Sequence, residues 1–357
     1  MSLTTMLSAG RIDDVSAGSK STGMSVDARR APGVLLKIID VLLLPLALCG
    51  ALAGLALAKR PRELAMCRWI FDRFHVFPIR HHYYSPLVYP SDVGMSLDRE
   101  RVIEGLDLNV EGQLALVSKF RYQDELLAIP RLANGSTSFG YDNPTFGPGD
   151  AEYLYNMIRH FKPKRILEIG SGQSTLVARL AVAANRRDDP DYRCQQTCVE
   201  PFEAPWLEQT GVEVLRSKIE DLAPAVVDLL DANDILFIDS SHVIRPQGDV
   251  IYEYLTLLGR LKPGVLIQIH DIRTPRDYFP RWVLRDRKLW NEQYLLEAFL
   301  CFNRDFAVTG AVNWLWHNHR DKLGDACPVL CATRDYEPGS FWMTRVNRPL
   351  LDKVRAD

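Results

Sequence analysis

Charge of either sign is nearly balanced. The 357 residues carry 43 Lys and Arg against 45 Asp and Glu, a net charge of −2. No chain-wide basic field exists to draw in nucleic acid, so no nucleic-acid partner is expected beyond what a local patch could hold. Cysteine is scarce and badly spaced for cross-linking. The seven are Cys49, Cys67, Cys194, Cys198, Cys301, Cys327 and Cys331, an odd number with no CxxC pair. That argues against a disulfide framework and a structural zinc site, and fits reduced thiols in a cytosolic compartment. Internal repeats are absent. A cleavable signal peptide also fits badly, because the first long apolar run lies far from Met1 and lacks a clear cleavage site.

What is present divides the chain into five stretches. Residues 1–33 are rich in Ser, Gly, Asp and Arg, cannot bury a core, and are expected to be a disordered tail. Residues 34–62 contain an uncharged run of eighteen, Val41 to Ala58, followed by Lys59-Arg60-Pro61-Arg62. As a helix the run would extend roughly 27 Å, near the minimum for a membrane span. A single span, an anchor bent at Pro45 and a buried core helix all remain open. The basic tail favours anionic headgroups in either membrane case. Residues 63–125 read as a mixed cap region, with an amphipathic helix at Glu63–Phe74 and an aromatic, Pro-broken loop at His75–Pro86. Residues 126–346 carry the regular pattern, and 347–357 form a C-terminal tail.

Within 126–346, short apolar runs alternate with helical stretches. Strands are expected at 165–170, 196–201, 211–217, 234–241 and 264–271, and helices at 150–161, 174–185, 248–261 and 289–302. Residues 305–316 and 340–346 read as a late strand pair. The fold class is therefore α/β: a doubly wound, Rossmann-like sheet, mostly parallel, with an antiparallel C-terminal strand pair and an N-terminal apolar helical segment. In such sheets ligands sit beyond the carboxyl ends of the strands. Three chemically loaded turns fall there: Glu168-Ile169-Gly170-Ser171-Gly172 after the first strand, Asp239-Ser240-Ser241-His242 after the fourth, and His270-Asp271 after the fifth.

The stretch "LEIGSGQST" (167–175) resembles motif I of the class I S-adenosylmethionine-dependent methyltransferases. A dinucleotide site would want a third glycine where Thr175 stands. The resemblance implies that Gly170, Gly172 and Ser174 line S-adenosylmethionine, that Glu168 orients its amino group, and that Glu200, ending the second strand, holds the ribose hydroxyls. It places Glu220 and Asp221 at the adenine. "FIDSSH" and "IHDI" are similar to the layout of metal-dependent catechol and macrolide-sugar O-methyltransferases. By that likeness Asp239, His270 and Asp271 are metal ligands, for Mg²⁺ or Mn²⁺, and Asp239 and His242 are catalytic. A histidine in place of an oxygen ligand departs from the pattern and suits Mn²⁺ or Fe²⁺ better than Mg²⁺. A histidine titrating near neutrality would suit removal of a sugar hydroxyl proton.

The expected activity is thus methyl transfer to a hydroxyl of a sugar, glycan or lipid-linked glycan. The expected place is the cytoplasm, including the inner face of the cytoplasmic membrane through residues 41–58; an oligomer stays open. Ile272–Tyr294, with Arg273, Arg276, Arg281, Arg285, Tyr278, Trp282 and Trp290, reads as a substrate lid. Asn143 and Phe146 lie where a segment could close over the cofactor. Two other readings remain: a mononuclear iron oxidoreductase using His242, His270 and a carboxylate, and a non-catalytic, membrane-tethered binding module.

Overall fold

The computed structural model describes residues 34–60, 62–334 and 336–346, so both expected tails lie outside the described residues. The chain divides after Ser85 into two compact units.

In the first unit, α1 (Val34–Lys59) passes through Pro45, and α2 (Ala65–Arg73) follows. The stretch Leu36–Lys59 has a mean hydropathy of 2.4 and is long and apolar enough to cross a membrane. Only 11% of its most apolar window is buried. A core helix would bury that surface, so the core-helix reading of residues 41–58 is not what the structure shows. Trp69, Ile70, Phe74, Phe77, Tyr83 and Tyr84 are also exposed.

The second unit begins with two short helices, α3 (Val110–Val117) and α4 (Gln123–Ala128). Then come α5 (Asp150–Phe161), β1 (Arg165–Ile169), α6 (Gln173–Asp188), β2 (Gln195–Val199), β3 (Glu213–Leu215) and β4 (Ile235–Ile238). After β4, α7 (Asp249–Tyr252) runs on through a π turn and a 3-10 turn to Arg260, and β5 (Leu266–Ile269) follows. The rest is α8 (Glu292–Leu300), β6 (Phe306–Ala311), three short helices α9 (Val312–Asn318), α10 (Arg320–Ala326) and α11 (Pro328–Ala332), and β7 (Phe341–Arg345).

The strands form one sheet in the order β3-β2-β1-β4-β5-β7-β6. The first five pair in parallel, and β7 runs antiparallel to both β5 and β6. The expected strand over 305–316 stops at Ala311. Val312–Asn318 is helical, with Val312, Asn313, Leu315 and Trp316 buried, a helical and not an alternating spacing.

Residue parity distributes the core. Ile166, Ile235, Phe237 and Leu266 point to the face covered by α5 and α6. Leu167, Ile169, Leu236, Ile238, Ile267 and Ile269 point to the opposite face, covered by α7 and α8. Both faces are apolar because helices cover both, which is why these strands read as continuous hydrophobic runs. The same parity carries beyond β5. His270, two residues past Gln268, is delivered to the α5 side, against the ring of Phe146 at 5.1 Å.

Candidate functional site

The carboxyl ends of β1, β2 and β4 open on a cleft of about 400 Å³. Its wall includes Gly170 from the first turn, Glu200 and Phe202 from the second, Glu220, and Asp239 to Ser241 from the fourth. Gly170 takes φ +76°, and a Cβ there would lie 1.9 Å from the carbonyl oxygen of Asp239. The glycine therefore lets two site-bearing turns touch. Gly172 is different. It has extended backbone (φ −174°) and nothing within 4 Å of a Cβ built on it. It is half-buried and is not itself in the cleft wall, and open space lies beside it.

Glu200 Oε1 accepts the Phe202 and Glu203 backbone N–H groups at 2.9 and 2.8 Å, and Oε2 accepts the Ser171 N–H at 3.2 Å. The carboxylate thus ties the ends of β1 and β2 together at the cleft wall. Glu220 lies in that wall too, whereas Asp221 is exposed and outside it. Glu168 is also not in the wall. Its parity with Ile166 turns it under α6, where it is 1% exposed and accepts hydrogen bonds from Gln196 Nε2 (2.7 Å) and the Cys198 thiol (3.3 Å). Burial pushes its pKa up, against those bonds and the hydroxyls of Thr175 and Ser174. Ser174, buried in the first turn of α6, belongs to this support and not to the cleft wall.

Beside Asp239 the ends of β4 and β5 gather the ionisable groups. Ligand atoms of Asp239, His270 and Asp271 lie within 4.8 Å of one another, as a cation site requires. His270 Nδ1 is 3.6 Å from both Asp239 Oδ1 and Asp271 Oδ1. His242 Nε2 reaches the same carboxylates, 3.2 Å from Asp239 Oδ1 and 3.6 Å from Asp271 Oδ2. Its Nδ1 lies 2.8 Å from Glu292 Oε2, a buried carboxylate that also accepts the Tyr254 hydroxyl at 3.2 Å. Two of the four take left-handed backbone, His242 at φ +59° and Asp271 at +56°. Each such residue costs about 1–2 kcal/mol. They are held there by main-chain bonds: the His242 carbonyl accepts the N–H of Asn291 (2.9 Å) and Glu292 (3.2 Å), and Ile272 N–H donates to Gly339 (2.8 Å).

The expectation of a near-neutral His242 does not hold for the protein alone. Burial works against its charge, but hydrogen bonds to Asp239 and Glu292 outweigh it and raise the pKa to about 10. Asp239 is driven the other way. Burial would raise it, yet the His270 and His242 charges hold it well below the usual carboxylate range. For Asp271 burial wins, and its pKa is raised.

Chain order hid two site residues. Asp150 at the start of α5 and Glu292 at the start of α8 back the two histidines from outside the expected turns. An acidic first turn was visible at Asp150, but such residues usually serve only the helix dipole. The expected lid is partly structural. Arg273 is buried over the Phe279 ring (3.6 Å) and between Asp98 and Glu337, each at 3.1 Å. Arg276 pairs with Glu100. Trp290, in contrast, stands 4.4 Å from the His242 ring, in an aromatic cluster with Tyr278 and Trp282, and Lys288 Nζ lies 3.6 Å over its face. Asn143 bonds the turn that carries Phe146 and so serves local structure.

Residues 167–272 match the family described as "Methyltransferase domain". The matched segment is similar to a methyltransferase domain. It contains the glycine turn, Glu200, Glu220, and the Asp239, His242, His270 and Asp271 cluster. An uncharacterised protein of Archaeoglobus fulgidus is 25% identical over 167 residues, covering 43% of this chain and 74% of its own. Among solved structures, the plantazolicin methyltransferase BpumL in complex with SAH is similar at 15% identity and a TM-score of 0.34, over 67% of this chain and 96% of that one. The MycE methyltransferase of mycinamycin biosynthesis, in complex with Mg, SAH and mycinamycin VI, gives 13% identity and a TM-score of 0.33, over 58% of this chain and 56% of that one.

Proposed function

We propose that this chain is an S-adenosylmethionine-dependent O-methyltransferase, metal-assisted, acting on a hydroxyl of a sugar, glycan or lipid-linked glycan. The observation that carries it is that Asp239 belongs both to the cleft wall beside the glycine turn and to the Asp239/His270/Asp271 cluster. A methyl donor and a hydroxyl held at those carboxylates would meet at one residue.

The donor set fits a divalent cation: two carboxylates and the Nδ1 ring nitrogen of His270 converge. S-adenosylmethionine supplies an electrophilic methyl, and a cation at the cluster would acidify a hydroxyl and draw carboxylate charge away from His242. The protein does the rest. The open face beside Gly172 admits the donor close to the backbone. Glu200 and Glu220 offer acceptors to hydroxyl and amine donors in the cleft. His242 Nε2 faces the cluster and would take the acceptor's proton, while Glu292 on Nδ1 fixes the ring and stabilises the charge it gains. Trp290 and Trp282 offer flat apolar faces of the kind that sugar rings stack on, beside the Lys288 ammonium. We place the protein at the cytoplasmic face of a membrane through residues 41–58, whose leucines from Leu42 to Leu55 are exposed and which lead into Lys59 and Arg60.

The test is transfer of a radiolabelled methyl group from S-adenosylmethionine to a panel of simple sugars, nucleotide sugars and lipid-linked glycans. The expected result is base-stable product that disappears with a chelator and in His242→Ala. Transfer that survives complete chelation would remove the metal from this reading, and base-labile product would point to carboxyl and not hydroxyl methylation.

A further inference from the structure

His270 has two ring nitrogens in different surroundings. Nδ1 faces the two cluster carboxylates at 3.6 Å. Nε2 points the other way, is buried without a hydrogen-bond partner among the described residues, and faces Asp150 Oδ2 at 3.6 Å. Asp150 is itself fixed. It is 1% exposed; its Oδ1 accepts the N–H groups of Gly339 (2.9 Å) and Ser340 (2.7 Å), and its Oδ2 accepts the Tyr336 hydroxyl at 3.0 Å. Phe146 lies against the imidazole. A carboxylate held behind Nε2 favours the proton on that nitrogen, which leaves the lone pair on Nδ1, among the carboxylates. Histidine ligands of metals are commonly oriented by such a partner.

We propose that Asp150 is a positioning residue that holds the His270 ring with Nδ1 turned to the two carboxylates, so that the Asp239/His270/Asp271 centre selects a transition-metal dication such as Mn²⁺ or Fe²⁺ over Mg²⁺. The inference rests on the metal-assisted reading above. Its physical basis is donor softness: imidazole suits first-row transition ions, whereas Mg²⁺ wants hard oxygen in a near-ideal octahedron. One nitrogen in a three-residue donor set is enough to weaken Mg²⁺ relative to Mn²⁺. Mutual distances of 3.6 Å also suit ligands sharing one small ion, for which metal–ligand bonds of about 2.0–2.2 Å are usual.

The test is direct metal binding to the full-length protein, without methyl donor or acceptor, by competition with a metallochromic chelator. Wild type should bind Mn²⁺ at least tenfold more tightly than Mg²⁺, and pulsed EPR of bound Mn²⁺ should show nitrogen coupling. Asp150→Asn keeps an oxygen for the Gly339 and Ser340 N–H groups but turns an amide NH₂ towards Nε2–H. Its Mn²⁺ affinity should fall 10- to 100-fold with the fold retained. His270→Glu should abolish the nitrogen coupling and move the preference towards Mg²⁺, which keeps the claim testable if Asp150→Asn does not fold. A folded Asp150→Asn with wild-type Mn²⁺ affinity would overturn the positioning role. Equal Mn²⁺ and Mg²⁺ affinities in wild type would overturn the selectivity. A protein that binds S-adenosylmethionine but no divalent cation would overturn this inference and leave methyl transfer standing.

Discussion

The two glycines of the turn after β1 should respond in opposite ways to the same substitution. In Gly170→Ala the new methyl carbon would lie 1.9 Å from the Asp239 carbonyl oxygen. An ordinary non-bonded contact needs about 3.5 Å, so the two turns must part by roughly 1.5 Å. The left-handed backbone at φ +76° adds about 1–2 kcal/mol for alanine. Parting the turns also strains two main-chain bonds, Gly170 N–H to Val199 (3.0 Å) and Asp239 N–H to Ile169 (2.8 Å), each worth about 1 kcal/mol. The sum is about 3–4 kcal/mol, and at roughly 2–4 °C per kcal/mol the Tm should fall by about 10 °C. Asp239 moves with its turn, so metal binding should weaken as well. Gly172→Ala meets nothing within 4 Å on extended backbone. Its stability should stay within about 0.5 kcal/mol of wild type, as for a change that meets no neighbour, while S-adenosylmethionine affinity drops on the order of tenfold as the methyl fills the ligand's space. Thermal denaturation and calorimetric titration of both variants read these effects separately. Wild-type stability in Gly170→Ala would refute the close approach of the two turns. Wild-type affinity in Gly172→Ala would refute the approach of the methyl donor to the backbone there.

Other perturbations isolate other parts of the site. Glu292→Ala removes the Nδ1 partner of His242 and should cut the methyl-transfer rate by on the order of 10²-fold or more while S-adenosylmethionine still binds, measured by kcat and titration on the same preparation. Glu253 is buried, and burial first, then the charges of Glu292 and Asp249, hold its pKa well above 4.5. Its contribution to stability is present below pH 4.5 and lost as pH rises through the folded pKa. Glu253→Gln should therefore gain stability relative to wild type as pH rises above 4.5, read as a Tm difference that grows with pH until the folded pKa is passed. Full-length protein should float with vesicles containing anionic lipid, and Leu46→Asp with Leu48→Asp should abolish flotation without changing the Tm of the second unit, since both leucines are exposed.

The sheet was legible because its strands are buried on both faces and read as uninterrupted apolar runs. The polar endings of those runs marked Asp239, His242, His270 and Asp271 in advance, since a polar group after a buried strand has little reason to be there except at an edge. Glu168 shows the limit of that logic. It sits in the same motif as Gly170, but the two-residue period of a strand turns it to the α6 face. Glu220 and Asp221 are adjacent, and only the fold says which one reaches the cleft. Asp150 and Glu292 were hidden for a different reason. Each meets its histidine across more than 49 residues of chain, and nothing local separates such an acid from an ordinary helix start. The helix at Val312–Asn318 continues the apolar run of β6, so its boundary is set by packing and not by any breaker residue.

The most direct measurement of the central claim is calorimetric titration of the purified full-length protein with S-adenosylmethionine, in Mn²⁺ and again after chelation. The account predicts micromolar binding at one site per chain, lost in Gly172→Asp without loss of fold. Absence of binding by folded protein in both conditions would contradict it.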